Sequence, residues 1–361
     1  MDRRTFLKTT SAAGLAAMTP ALARAEYAPA PGGWRQFALT TTVDLPRDGK
    51  GAQAWVPVPS IEAASWSRLG ETRWTGNATR ATLETDAASG AQFVHAVWEA
   101  GTEPATLEVV SRAETQDRAV PGARSVAPLS EAERARHLAP TELIPTDGIV
   151  AETAAMIVDG VQGDAERAQR IYDWVVETTE RNPETRGCGL GDIASMLHTG
   201  DLTGKCADLN ALYVGLARAA GLPARDLYGL RVAPSAFGYK SLGAGSEVVT
   251  KAQHCRAEVW IEARGWVPVD PADVRKVVLE EPPKTLTLAD GEVQDVRAAL
   301  FGASEGNWLC YNDAHDIVLP GSTQGPIPFL MYPQAEIDGV AQDELSPDDF
   351  AYAITVRELA A

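Results

Sequence analysis

The hydrophobic period of this chain changes near residue 120, from two residues to between three and four, and that change restricts it to an α+β fold in which strands come first. From Trp34 to about Arg118, short alternating segments are separated by Gly, Pro, Asp and Asn. Phe37, Leu39, Thr41, Val43 and Leu45 share one face, as do Ala52, Ala54, Val56 and Val58. TRATLETDAASGAQFVHAVWEAG reads as two strands joined by a Gly-containing turn, and ATLEVVSRAETQ as another. A small antiparallel β-sandwich is the expectation. No chemistry-bearing residues cluster in it.

Beyond Arg118 the signals are helical. Ser130 with Glu133 makes a capping box, and Asp164 is placed to cap a longer helix whose Ala168, Ile171, Tyr172, Val175 and Val176 form one stripe, ended by Asn182 and Pro183. DIASMLHTG is a short helix between Asp192 and Gly200. GKCADLNALYVGLARAAGLPAR then lines up Leu209, Leu212, Tyr213, Leu216 and Ala220, with Gly221 and Pro223 as the stop. Cys206 lies three residues before Leu209 on the same stripe, at the helix start. Helix N-termini have unsatisfied N–H groups and partial positive charge, which favour a thiolate and can hold an oxyanion. Position alone leaves both a packing thiol and a nucleophile open.

HCRAEVWIEARGWVPVDPADV narrows the choice. Alternation from His254 to Ile261, a turn at Gly265 and a second run from Trp266 to Val269 read as a hairpin, with His254 opening one strand and Asp270 closing the other. Those ends are neighbours in an antiparallel hairpin. The expected arrangement has the carboxylate accepting the Nδ1 proton, which leaves Nε2 for the thiol.

These segments together resemble the transglutaminase-like superfamily of papain-like cysteine enzymes. The likeness covers roughly residues 125–320 and implies a catalytic triad of Cys206, His254 and Asp270, a cysteine helix packed on an antiparallel sheet, and a preceding sandwich domain. It implies attack on a peptide or carboxamide carbonyl through an acyl-thioester, with no cofactor and no metal. The interval between Cys206 and His254 contains SAFGYKSLGAGSEVVTKAQ, a Gly/Ser-rich stretch expected to be flexible and to flank or cover the cleft.

The remaining candidates have plainer readings. Cys188 in TRGCGLGD has no helical stripe directly after it and is expected at most to line the site. Cys255 follows His254 and so points to the other face of its strand, as a core residue. Cys310 sits in apolar NWLCYNDAHD. Four cysteines permit disulfides by count, although catalysis would claim one thiol. A zinc site from Cys188, Cys206, His254 and Cys255 lacks CxxC or HxxxH spacing. His315, beside Asp316, is expected to be structural or to line the cleft. Asp208 suits the helix dipole, and Asp273 has no evident role, so Asp273→Asn is expected to matter far less than Asp270→Asn.

The chain has 361 residues and a net charge of −17, so nucleic acid and anionic lipid are poor partners. MDRRTFLKTTSAAGLAAMTPALARA resembles a twin-arginine export signal: paired arginines, a short apolar run too poor to span a bilayer, and Ala-Arg-Ala ending at Ala25. Four parts are therefore expected: a signal peptide over 1–25, a sandwich over 26–120, a catalytic domain over 121–320, and an extension over 321–361. Phe350, Tyr352, Ile354 and Val356 alternate in that extension as a final strand. The expectation is a periplasmic cysteine hydrolase acting on a peptide or protein, with a transamidating crosslinker and a catalytically silent envelope-binding module as the alternatives.

Overall fold

The computed structural model describes residues 26–120 and 122–360, and the expected signal peptide lies outside them. Two antiparallel sheets face one another. One orders the strands Tyr352–Leu359, Arg35–Leu45, Ala105–Thr115 and Ser67–Gly76; the other orders Val340–Ala341, Gln334–Ile337, Ala52–Val58, Gln92–Trp98 and Arg80–Thr85. Phe37, Leu39, Val43 and Leu45 pack in one buried cluster with Ala54, Val56, Val94 and Ala96 of the facing sheet, so the period-2 reading is met. Alternation fails in Ala52–Val58, where Trp55 and Pro57 are buried too. The outer face of that strand is covered by Ile317, Leu319 and Leu330, which pack with Trp55 and Phe93. The final strand pairs with the first, Thr41 opposite Ile354, so the two ends of the described chain close one sheet.

A third antiparallel sheet orders Gly265–Val269, Gln253–Ile261, Ala224–Arg231 and Trp308–Asn312, and the helix Cys206–Ala219 lies on it. This is the α+β core expected. The cysteine helix is buried on every side from Cys206 to Arg218 rather than along one stripe. Helices Gly148–Ile157 and Asp164–Thr178 add Val150, Ala154, Ile171 and Val175 to its core cluster, which is how an all-round apolar helix becomes the centre of a domain.

Local signals placed most helix ends. The Ser130–Glu133 capping box forms, Asp192 accepts the Ser195 N–H, and Gly200 is left-handed. Asp164 is instead the first helical residue, after a Gly163 cap with φ of 83°, and its carboxylate pairs with Arg167 at 2.6 Å. That helix stops at Thr178, ahead of Asn182 and Pro183, because Thr179 turns extended. No helix among the described residues is long and apolar enough to cross a membrane.

A buried ion network ties the sandwich side to the core sheet. Glu258, with no exposed surface, takes Arg118 on one oxygen and Arg225 on the other, the latter at 2.7 Å. Burial opposes its ionisation, but the two guanidinium groups hold it below the usual carboxylate range. Glu258→Ala strands Arg118, while Arg225 keeps Asp313 at 3.1 Å. The expected loss is about 3 kcal/mol, the low end for breaking a buried pair. In the native protein the stability due to Glu258 is present above about pH 4.3 and disappears as pH falls through its depressed folded value. Denaturant midpoints across acidic pH check both; equal stability of variant and native protein at neutral pH would count against the network.

Candidate active site

Cys206 is the first residue of its helix, preceded by Lys205 in extended conformation. Asp208 fixes this helix start. One of its oxygens accepts the N–H groups of Leu190 and Gly191, both at 2.9 Å, and the other accepts that of Lys205 at 2.9 Å. The loop before the helix must wrap closely around this carboxylate. A Cβ at Gly189, where φ is +94°, would lie 1.8 Å from Asp208 Oδ2, and one at Gly204 would lie 2.5 Å from it. The Ala207 N–H donates to the Cys188 carbonyl at 2.8 Å, so the same clamp sets Cys188 beside Cys206. Asp208 thus does more than complement the helix dipole.

The histidine strand supplies the next group. His254 is 3% exposed, and its Nε2 lies 2.7 Å from Asp270 Oδ2 and 3.4 Å from Asp273 Oδ2. Its carbonyl accepts the Trp308 indole N–H at 2.9 Å. The ring orientation is the reverse of the one expected: Nε2 takes the carboxylates, which leaves Nδ1 for Cys206. The reason lies in the strand-to-helix junction. Asp270 is not only the end of a strand but the N-cap of Pro271–Glu280, accepting the Asp273 N–H at 3.1 Å, and that turn brings two carboxylates to one side of the ring.

Asp273 therefore has a role that sequence reasoning missed. It pairs with buried Arg231 at 2.6 Å. Burial resists its ionisation, but Arg231 and then His254 hold it well below the usual carboxylate range. Asp270 moves the other way, raised by burial and by the Asp273 charge. Asn210 was also missed. It stands one turn after Cys206, donates to the Cys255 carbonyl at 2.8 Å and to Asp270 Oδ1 at 3.3 Å, and so joins the cysteine helix to the carboxylate. An amide four residues after the cysteine, in an otherwise apolar run, was the available signal.

The electrostatics favour an ion pair. Burial and the Arg231 charge resist protonation of His254, yet Asp273 and Asp270 overcome them and raise it to about 9. The Cys206 thiol is lowered well below its ordinary value by the adjacent Cys188 and Cys255 sulfurs and by His254. Cys188 is raised, chiefly by Cys206 beside it, and stays a thiol, its sulfur 3.4 Å from the Gln253 carbonyl oxygen.

All four cysteines are free and buried. Cys255 is the core residue expected, but its sulfur also belongs to the site: those of Cys188, Cys206 and Cys255 lie within 4.8 Å of one another. His254, Asp270 and Asp273 form a second group of that kind. Either could in principle ligate a cation, although Asp273 is already committed to Arg231 and Cys188 holds its proton. Cys310 packs with Trp66, Leu227 and Trp308. His315 contacts Tyr228 and lies 3.6 Å from Asp226, away from the cleft, with burial and then Arg218 lowering it to about 3.

Cys188, Cys206 and His254 open onto a cleft of about 550 Å³. One wall is the stretch 243–253, which is tied to its neighbours at two points: the Ala244 N–H donates to the Ala233 carbonyl at 2.9 Å and the Val249 N–H to that of Ile354 at 2.8 Å. Tyr332, Leu345 and Tyr352, from beyond residue 320, form another part of the wall. The expected extension does more than tie down the chain end.

Residues 151–271 match the profile of the Transglutaminase-like superfamily. An uncharacterized protein of Haemophilus influenzae is 35% identical over 342 residues, covering 90% of this chain and 91% of its own. Among solved structures, a candidate cysteine protease from Cytophaga hutchinsonii is 15% identical, with 90% of this chain and 99% of that one covered at a TM-score of 0.49. The periplasmic domain of TgpA from Pseudomonas aeruginosa is 14% identical, with 66% and 88% covered at a TM-score of 0.35.

Two outcomes test the ion pair. Brief iodoacetamide treatment at about pH 6 is expected to label Cys206 ahead of Cys188, Cys255 and Cys310 by peptide mapping. In Asp273→Asn, Arg231 is left unpaired and His254 loses a favourable charge, so the imidazolium gives up its proton at lower pH and stabilises the thiolate less. The onset of Cys206 labelling then moves up by about one pH unit or more. Faster labelling of Cys188, or an onset that does not move in the variant, would overturn the arrangement.

Proposed function

We propose, from the match of residues 151–271 to the transglutaminase-like superfamily, that the chain is an exported thiol hydrolase cleaving a peptide or carboxamide bond, with Cys206 as nucleophile, His254 as acid and base, and Asp270 as the group that orients the ring. One observation carries the reading: a thiol at a helix N-terminus, in contact with a buried imidazole that bears two carboxylates, opens onto a cleft of about 550 Å³.

The chemistry follows from these positions. The Cys206 thiolate attacks the carbonyl carbon, and the oxyanion is met by the Cys206 N–H, which has no acceptor within its own helix. His254 passes its proton to the leaving amine as the C–N bond breaks, which leaves an acyl-thioester and a neutral imidazole. Water then attacks that thioester, giving a proton to His254. The tetrahedral species collapses to free acid, and the thiolate–imidazolium pair is restored. Asp270 and Asp273 keep Nε2 protonated throughout, so that Nδ1 is the nitrogen that cycles.

Hydrolysis rather than crosslinking is favoured by the walls. A transamidase must hold an amine and keep water away, which calls for an apolar channel. Here the walls carry Lys205, Lys251 and Lys276. Tyr332 and Tyr352 are present, but among cations. The Arg3–Arg4 leader ending at Ala25 supports export to the periplasm as the setting.

A peptide-amide substrate incubated with a millimolar lysine-type amine is expected to give mostly free acid by mass spectrometry. A majority of amine adduct would reverse the preference for water. Asp270→Asn is expected to lower turnover by roughly 10⁴, the size of effect seen when a triad carboxylate is neutralised; a loss below about tenfold would remove Asp270 from the mechanism.

A further inference from the structure

The protein is acidic, with a net charge of −17, but its cleft is not. Arg181, Lys205, Arg231, Lys251 and Lys276 line it, and among the described lining residues Glu344 supplies the only carboxylate. What matters is how much of that charge is already answered. Arg231 is neutralised by Asp273 at 2.6 Å. Lys251 faces Asp348 at 3.5 Å, both largely in solvent, a pair of little weight. Arg181 takes Glu280 as its partner. Lys276 is then left with the same Glu280 at 3.9 Å, beyond hydrogen-bonding distance, and makes no hydrogen bond to the protein. Lys205, next to the nucleophile in sequence, spends one of its three N–H donors on the Thr185 carbonyl at 2.6 Å and has no carboxylate on its ammonium. The cleft thus holds two ammonium groups to which no carboxylate of the protein is hydrogen-bonded.

We propose that Lys276 and Lys205 form a carboxylate subsite, and that the acyl donor of this enzyme is an acidic peptide whose side-chain or terminal carboxylate lies close to the bond cleaved. The inference rests on the reading of Cys206 as the nucleophile and adds the substrate class to it. A lysine side chain only 18% exposed pays for desolvation without a hydrogen-bonded partner. The groups facing it are Arg231, Asp273, Glu280 and Arg181, from three elements, and burial with the Arg231 charge lowers its ammonium to about 8. It remains charged at neutral pH, and a bound carboxylate would complete its coordination. A neutral peptide would leave both ammonium groups without a carboxylate partner in the occupied cleft. Substrates with a carboxylate are therefore selected against their amides, since a site built to bind a polar group rejects the analogue that lacks it.

The test uses two electrophiles of equal shape, the α-amides of N-iodoacetyl-glutamate and N-iodoacetyl-glutamine, and measures the rate of Cys206 alkylation by each on the whole mature protein at low ionic strength. The native protein is expected to favour the glutamate reagent by about tenfold, an advantage that shrinks as salt is added. His254 contributes to this ratio in every variant, so the comparison between variants isolates the lysines. Lys276→Met is expected to reduce the ratio by about fivefold, Lys205→Met by a similar factor, and Lys276→Arg to retain it, because charge and not shape is at issue. A ratio unchanged by Lys276→Met, or a native preference for the glutamine reagent, overturns the subsite while Cys206 remains the nucleophile. If neither reagent labels Cys206, the nucleophile assignment and the subsite fall together.

Discussion

The buried charge cluster formed by Arg231, Asp273, His254 and Asp270 is the constraint around which the rest is organised. Each of these side chains is less than a tenth exposed. Isolated charges at such depth would cost many kcal/mol, so the cluster persists only because every member has a partner at close range. Arg231 comes from one strand, His254 from the neighbouring strand, and both carboxylates from the first turn of the helix that follows the hairpin. Asn210 reaches the same cluster from the cysteine helix. Four elements are thereby fixed relative to one another by groups that also set the ionisation of the site. Polar satisfaction and catalytic geometry are here one requirement.

The cleft depends on a second constraint, closure of the chain on itself. The final strand pairs with the first, and Ile354 within it anchors the stretch that ends at the histidine strand. Tyr332, Leu345 and Tyr352 reach the cleft from this returning segment. One buried cluster runs from between the two sandwich sheets, through Ile354 and Tyr352, to Cys188, Cys206 and Cys255. The sandwich is thus part of the wall that gives the thiol its surroundings. Five Lys and Arg side chains line this cleft in a protein whose net charge is −17.

The three sulfurs show how a neighbour changes a nucleophile. Cys188 and Cys255 are raised, so they remain thiols beside Cys206, with their sulfurs respectively 3.4 Å from the Gln253 carbonyl oxygen and 3.9 Å from the Met331 sulfur. A thiolate in this position is supported by the imidazolium and by the helix N-terminus.

Much of this was legible in the chain as written. Period-2 segments placed the sandwich strands, capping residues placed helix starts at Glu131 and Ile193, and the order cysteine helix, histidine strand, aspartate turn brought Cys206, His254 and Asp270 into view before any contact was known. These are local signals, each written within ten or so residues, and local backbone preference is what sequence encodes directly. Tertiary structure alone decided the rest. Nothing in the spacing from Arg231 to Asp273, or from Glu280 to Lys276 and Arg181, says which carboxylate answers which cation. The choice of ring nitrogen followed from Asp270 being a helix cap as well as a strand end, and the burial of the whole cysteine helix followed from two helices packing on the side away from the sheet. Pairing of buried charges is a long-range outcome of packing, set by which side chains the folded chain brings within a few ångströms, and that proximity has no counterpart in linear order.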